Sequence, residues 1–298
     1  MATLQHWLSA FRLRTLPLAL SCIGLGSFLA AAQNQFVATI FWLSALTTVF
    51  LQILSNLAND YGDSVHGADS VDRSGPQRAV QSGAISKQSM FRAMVLFSLL
   101  ALGSGLVLIY FAVQTQFDFF IFLGLGVLSI IAAITYTAGK KPYGYAGLGD
   151  ISVLIFFGWV GVLGTYYLHT HQIQWDLLLP ASTCGLFAVA VLNVNNIRDI
   201  ESDKKAGKHS VPVRIGRANA VKYHYLLLAL GLVCALAYVG LNYQSPWQFI
   251  FLIVLPLLYK NAQAVQQKTA AAQLDPYLKQ MAMTTLLFVL SFGIGQLL

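Results

Sequence analysis

Nine apolar runs, each near the length of a bilayer crossing, leave this chain few ways to fold. They cover roughly residues 15 to 33, 37 to 58, 93 to 113, 119 to 138, 149 to 168, 177 to 197, 223 to 241, 247 to 261 and 280 to 297. About 20 apolar residues cross a bilayer as a helix; only the eighth run is clearly short of that. Charged residues make up 10% of the chain and apolar ones 57%, with a mean hydropathy of +0.65. Ordinary soluble domains carry about 25% charged residues. No soluble domain is inserted between the runs, so the membrane bundle itself must contain the function. The expected fold is all-α: one multi-pass membrane domain over residues 1–298, about nine transmembrane helices around a central cavity.

The net charge of +7 suggests nucleic acid until the basic residues are placed. With nine crossings and the N-terminus inside, all 18 Lys and Arg fall on one side. That asymmetry orients the chain by the positive-inside rule with its long loops cytoplasmic, as in a bacterial inner membrane, and it calls for a lipid bilayer, not nucleic acid. Residues 1 to 14 have no early basic region and no small-residue cleavage site, so this segment is expected to be retained. Trp7, Leu8 and Phe11 beside Arg12 and Arg14 suit a short interfacial helix. Cys22, Cys184 and Cys234 lie inside apolar runs without metal-ligand spacing and read as packing residues.

The chemistry concentrates where apolar runs end. Asn56-Leu57-Ala58-Asn59-Asp60-Tyr61-Gly62-Asp63 closes the second run, and Asn56, Asp60 and Asp63 share one face of a continuing helix. Carboxylates at a helix C-terminus are poorly placed against its macrodipole, which calls for a cation opposite them. An echo, Asn195-Asn196-Ile197-Arg198-Asp199-Ile200-Glu201-Ser202-Asp203-Lys204, closes the sixth run, four crossings later and therefore on the same face. The chain thus reads as two four-helix units, 15 to 138 and 149 to 261, plus a last helix 280 to 297. Parallel repeats of this kind set their equivalent motifs facing one another across a cavity. A third inner stretch, residues 135 to 150, contains Gly139, Pro142, Gly144 and Gly147, which rule out a continuous helix. The last inner loop, 262 to 279, is left outside the site.

Two facing pairs of Asp repel unless hard cations intervene. Magnesium takes oxygen ligands and is typically held by one or two carboxylates with substrate phosphates. Scattered His and isolated Cys offer no zinc site. Arg73, Arg78, Arg198, Lys204, Lys205, Lys208 and Arg214 surround the acids; with metal they form the combination that holds a diphosphate. Arg73 and Lys204, each close to an Asp, are favoured for ligand contact, and Lys205 and Arg217 for topology. No P-loop, nucleophile elbow or His-containing protease motif is present. A metal-bound diphosphate at the mouth of an apolar bundle describes a prenyl diphosphate, head on the metals and tail in the core.

Residues 56 to 73, 136 to 150 and 193 to 214 resemble the three signature loops of the UbiA-type intramembrane aromatic prenyltransferases, and the likeness extends over essentially the whole chain. Arg14-Thr15-Leu16-Pro17 before the first span and Ser55 to Asp63 are similar to the branch that prenylates 1,4-dihydroxy-2-naphthoate in menaquinone synthesis. One departure is visible: the superfamily often has another Asp four residues after the second, where this chain has Gly67, with Asp69 and Asp72 beyond it. The resemblance implies that Asp60, Asp63, Asp199 and Asp203 hold two magnesium ions on the diphosphate of a polyprenyl donor. Asn56, Asn59, Asn195, Asn196, Arg198, Arg73 and Lys204 would support that network, and the acceptor would be an aromatic acid that loses carbon dioxide. Tyr136, Tyr143 and Tyr145 are available to shield a carbocation, or to serve as belt tyrosines. Asp150 reads either as an N-cap of the fifth span or as a group that orients or deprotonates the acceptor hydroxyl. Lys140 or Lys141 could meet the acceptor's carboxylate. The rival readings are transfer to 4-hydroxybenzoate or homogentisate, and an ion-coupled transporter, against which stand acids clustered at one surface, not at the midplane.

Overall fold

A computed structural model of the protein describes residues 2–66 and 78–298, and the described residues contain helices and turns but no strand. The N-terminal segment forms α1 (Leu4–Phe11), capped by Thr3 and His6. Arg12 then adopts a left-handed conformation, and a 3-10 turn, Leu13–Thr15, leads into α2 (Leu16–Ala32). The next crossings are α3 (Ala38–His66), α4 (Lys87–Ala112) and α5 (Gln116–Thr135). The fifth is composite: α6 (Gly149–Val153), a π-helical stretch Leu154–Leu163, and α7 (Gly164–Thr170). After α8 (Leu178–Arg198) and the short α9 (Ile200–Lys205) comes α10 (Val211–Leu241), bent at Gly216. A 3-10 segment, Pro246–Val254, continues as α11 (Leu255–Gln267), and α12 (Ala271–Leu297) completes the chain.

Nine helical segments among the described residues are long and apolar enough to span a membrane. Every main-chain polar group in hydrocarbon must be bonded within its own segment, which is why the apolar runs are helical. The eighth run, apparently short, crosses from Pro246 to Gln267. Its first part is a 3-10 helix rising about 2.0 Å per residue, so the segment reaches roughly 37 Å. Several helices also run past their apolar stretches. α4 begins at Lys87, where the Ser86 hydroxyl accepts from the Ser89 N–H at 3.1 Å, and the long polar loops expected from sequence are correspondingly shorter.

One buried cluster, with Leu25, Tyr166, Phe187, Phe251, Phe288 and Phe292 at its centre, joins α2, α7, α8, α10, α11 and α12. A second packs Leu54, Leu57, Ile85 and Met90 beneath Trp7 and Phe11 of α1, fixing the expected interfacial helix over the end of α3. Large apolar residues such as Tyr110, Phe120 and Trp42 are exposed on the outer surface, the reverse of a soluble protein and suited to lipid.

Candidate active site

Asn56, Asp60 and Asp63 occupy one buried face of α3, as their spacing predicts. Asn56 does not reach the acids. Its amide donates to the Phe11 carbonyl at 2.9 Å and the Thr15 hydroxyl at 3.1 Å, tying α3 to the N-terminal turn. The Asp60 carboxylate accepts from the main-chain N–H groups of Ala79 (3.1 Å) and Val80 (3.3 Å). Arg78 donates to the Asn59 carbonyl at 2.7 Å and forms an ion pair with Asp63. It is the cation that carboxylates at a helix C-terminus require. Arg73, Asp69 and Asp72 lie outside the described residues.

The second motif is built differently. α8 stops at Arg198, Asp199 leaves helical geometry (φ −101, ψ 12), and Asp203 returns on α9. Arg198 forks onto Asp199 through Nε (2.8 Å) and Nη2 (2.7 Å), and also reaches Asn195 Oδ1 at 2.9 Å. Asp203 is buried and accepts from Lys208 Nζ at 3.3 Å. Lys204 is exposed. One residue on from an inward-facing Asp203 is about 100° around the helix, whereas the turn at Gly207 (φ +70) returns Lys208 to the acid. The lysine that pairs with the second motif's acids is therefore Lys208, and not Lys204.

The third loop joins the two motifs. Thr137 donates to the Ala58 carbonyl (2.9 Å) and Asn59 Oδ1 (3.1 Å). At Gly62 a Cβ would sit 2.4 Å from the Thr137 carbonyl oxygen, so glycine is what lets the loop lie on α3. Tyr145 donates to Asp63 Oδ1 at 2.7 Å, while Lys208 Nζ lies 5.9 Å over its ring. Its carbonyl accepts from the His209 N–H at 2.8 Å. One tyrosine thus touches the first carboxylate pair and the cation of the second. Burial, with the Asp63 charge adding, pushes the Tyr145 phenol far up, so it remains a donor. Burial also raises the Asp203 carboxyl above its usual range; Asp199 and Asp63 add to this and Lys208 opposes it.

Other residues of this stretch take different positions. Lys140 and Lys141 are exposed at the loop tip, where Gly139 (φ +102) turns the chain outward and Pro142 is buried. Tyr143 donates from its hydroxyl to the Ala132 carbonyl at 3.0 Å and lies 3.0 Å from the Ser152 hydroxyl. Asp150 is not an N-cap. That position belongs to Leu148, and the buried Asp150 carboxylate accepts from the Tyr223 hydroxyl at 2.9 Å.

Two cavities meet this cluster. An apolar one of about 360 Å³ lies between α3, α4, α5 and the π-helical stretch, with Asn59, Tyr136 and Tyr143 at one end and Leu108, Phe122 and Leu168 at the other. The α3 residues along it run from Ser44 to Asn59, about 22 Å of helix. A polar one of about 340 Å³ is lined by Arg12, Arg14, Asp60, Arg78, Asn195 and Arg198, so it brings both motifs to one space. No group of three or more His, Cys, Asp or Glu converges among the described residues. Magnesium needs no such trio, since it accepts one or two carboxylates and fills its shell with water and phosphate oxygens. Four acids with oxygen donors only, and a buried Asn196 Oδ1 without a partner among the described residues, fit that ion.

Sequence reasoning missed Tyr223 and Asp275, and did not single out Arg78 and Lys208 from the other bases. Asp275, at the start of α12, accepts from Arg198 Nη1 at 2.5 Å and lies 3.6 Å from Arg14, although its loop carries no motif. Only the turn at Gly207 hinted at Lys208.

Nine helical spans among the described residues, with two acidic motifs at the mouth of an apolar cavity, define an intramembrane prenyltransferase architecture, and the chain belongs to the UbiA prenyltransferase family, whose model matches residues 19–292. It is 48% identical to the 1,4-dihydroxy-2-naphthoate octaprenyltransferase of Escherichia coli (strain K12), over 98% of this chain and 96% of the relative. It is 35% identical to the protein of the same name from Mycobacterium tuberculosis (strain ATCC 25618 / H37Rv), again over 98% and 96%. Among solved structures it resembles an apo UbiA homologue from Aeropyrum pernix K1 (TM-score 0.69, 16% identity, 99% of both chains). It also resembles one from Archaeoglobus fulgidus bound to GPP and Mg2+ (TM-score 0.66, 17% identity, 98% of this chain and 99% of the other). At that identity these structures bear on the fold: a multi-span membrane bundle.

Proposed function

We propose that this protein transfers a polyprenyl group from polyprenyl diphosphate to 1,4-dihydroxy-2-naphthoate, with loss of carbon dioxide, at a magnesium-dependent site on the cytoplasmic side of a bacterial inner membrane. The observation that carries the reading is the junction of the two cavities. Asn59 lines the apolar one and the adjacent Asp60 the polar one. A prenyl tail fits the first, and a diphosphate fits the arginine-lined second. The relatives' shared name supports the choice of acceptor.

Asp60, Asp63, Asp199 and Asp203 would hold magnesium, which when bound offsets the charge gathering on the departing diphosphate. Arg78 and Lys208, already paired with Asp63 and Asp203, supply further positive charge where the leaving group sits. The bond between the allylic carbon and the diphosphate oxygen breaks with both electrons going to oxygen. Tyr136 and Tyr143, at the end of the apolar cavity beside Asn59, close off water and offer ring faces to the allylic cation. The electron-rich naphthalene ring then bonds that carbon. The ring–carboxyl bond breaks, carbon dioxide leaves, and its electron pair restores the ring. The acceptor's carboxylate suits the polar cavity, with Arg12 and Arg14 on its wall, better than the exposed Lys140. Asp150, held by Tyr223, stays the candidate to orient the acceptor hydroxyl.

The test is competition. Purified protein is given magnesium, a polyprenyl diphosphate and equal amounts of carboxyl-labelled 1,4-dihydroxy-2-naphthoate and 4-hydroxybenzoate. Prenylated naphthalenediol and released label are expected. Prenylated 4-hydroxybenzoate alone, or a naphthoate product that keeps its label, would overturn the acceptor.

A further inference from the structure

We infer that Asp275 is a positioning residue for the magnesium site: it retains Arg198 when Asp199 turns from that arginine to a cation. The inference rests on the reading above, in which Asp199 binds magnesium. Nothing in the two acidic motifs or the third loop points to Asp275, which stands on α12, 76 residues beyond Asp199.

The geometry is that of a shared guanidinium. Arg198 has a side chain only 3% exposed. One edge, Nε and Nη2, holds Asp199 at 2.8 and 2.7 Å; the remaining nitrogen, Nη1, holds Asp275 at 2.5 Å. The other Asp275 oxygen faces Arg14 at 3.6 Å, so this carboxylate stands between the N-terminal turn and the second motif. A carboxylate forked by a guanidinium must give up part of that pairing to coordinate a metal. A buried arginine left without a carboxylate is costly, because its charge has lost both water and its counter-ion. Asp275 prevents that outcome, because Arg198 keeps an anionic partner while Asp199 is engaged elsewhere. It also adds a negative charge near a site otherwise crowded by Arg14, Arg78 and Arg198, which favours a divalent cation. Without Asp275, Arg198 competes with the metal for Asp199.

The test compares full-length wild type with Asp275→Asn and Asp275→Glu in detergent. The magnesium concentration giving half of the maximal thermal stabilisation is measured with magnesium chloride in the presence of inorganic diphosphate. The magnesium dependence of turnover is measured alongside, at saturating substrates. Asp275→Asn should raise both half-points by about threefold or more, the scale of one lost charge interaction, while kcat at saturating magnesium changes less. Asp275→Glu should restore the wild-type half-points. Unchanged or lower half-points in Asp275→Asn would overturn the inference, because a purely structural contact would shift the melting temperature and leave the metal requirement in place. If Asp275→Asn does not fold, Asp275→Gln takes its place; failure of both while Asp275→Glu folds would make the residue a scaffold clamp and also overturn it. A wild type with no magnesium response would instead overturn the metal reading itself.

Discussion

Asp203 shows how local context sets a residue's behaviour. Its folded pKa lies above the usual carboxylate range, chiefly through burial, whereas in the unfolded chain it titrates near about 3.9. The sign follows from linkage: stability from this group is fully present below the unfolded value and is lost as pH rises through the raised folded value. Asp203→Asn lacks that titration. In chelator, the melting temperature of wild type minus that of Asp203→Asn should therefore fall as pH rises from about 4 through the folded value, then level off; a difference that grows with pH would refute the burial argument. The acid itself was legible in sequence, one turn beyond an Asn195/Asp199 pair spaced like Asn56 and Asp60. Its partner was not, since three lysines, Lys204, Lys205 and Lys208, follow within five residues and only the turn at Gly207 decides which returns. Asp275 and Tyr223 were invisible for a simpler reason. Their partners, Arg198 and Asp150, lie more than 70 residues away, and neither Asp275 nor Tyr223 sits in a motif.

Among the elements, α3 was the most legible. A continuous helix through Asp60 and Asp63 followed from spacing alone, and it extends to His66. α8 was less so, because no Gly or Pro between Asn195 and Lys204 marks the break at Asp199. The third loop's irregularity followed from Gly139, Pro142 and Gly147, but its position against α3 did not. That contact hangs on Gly62, where an added methyl would meet the Thr137 carbonyl. Gly62→Ala must part the loop from α3, costing about 1–3 kcal/mol as overpacking, and it should lower turnover as Tyr145 loses its place on Asp63. Gly124→Ala, where an added Cβ meets nothing within 4 Å, is the control and should leave both unchanged. Equal melting temperatures and turnover for the two variants would show that the contact does not organise the site.

At the scale of the molecule, the nine crossings of the described residues and the all-α class were readable because lipid permits so few alternatives. Charge asymmetry supports the orientation we propose. Single cysteines at Lys141, Glu201 and Gln172, each exposed, in a chain freed of Cys22, Cys184 and Cys234, test it with an impermeant thiol reagent. Lys141→Cys and Glu201→Cys should label from the cytoplasmic face and Gln172→Cys from the other. Labelling of the first two from opposite faces would separate the third loop from the second motif. The cavities were not legible in any detail, since their volumes and walls arise from helices far apart in sequence. The division into two four-helix units remains our reading of the motif echo.

In our reading the two acidic motifs act together as one magnesium-dependent prenyl-transfer site. The most direct measurement is product formation by wild type, Asp60→Asn and Asp199→Asn, each checked for folding by its melting temperature, with magnesium and with excess chelator. An Asn at position 60 can still accept from the main chain of Ala79 or Val80, so the fold should survive. Each substitution should reduce turnover by at least about 100-fold, some 2.7 kcal/mol of transition-state stabilisation, and chelator should silence the wild type. Near-wild-type turnover in either folded variant, or in wild type held in excess chelator, would contradict it.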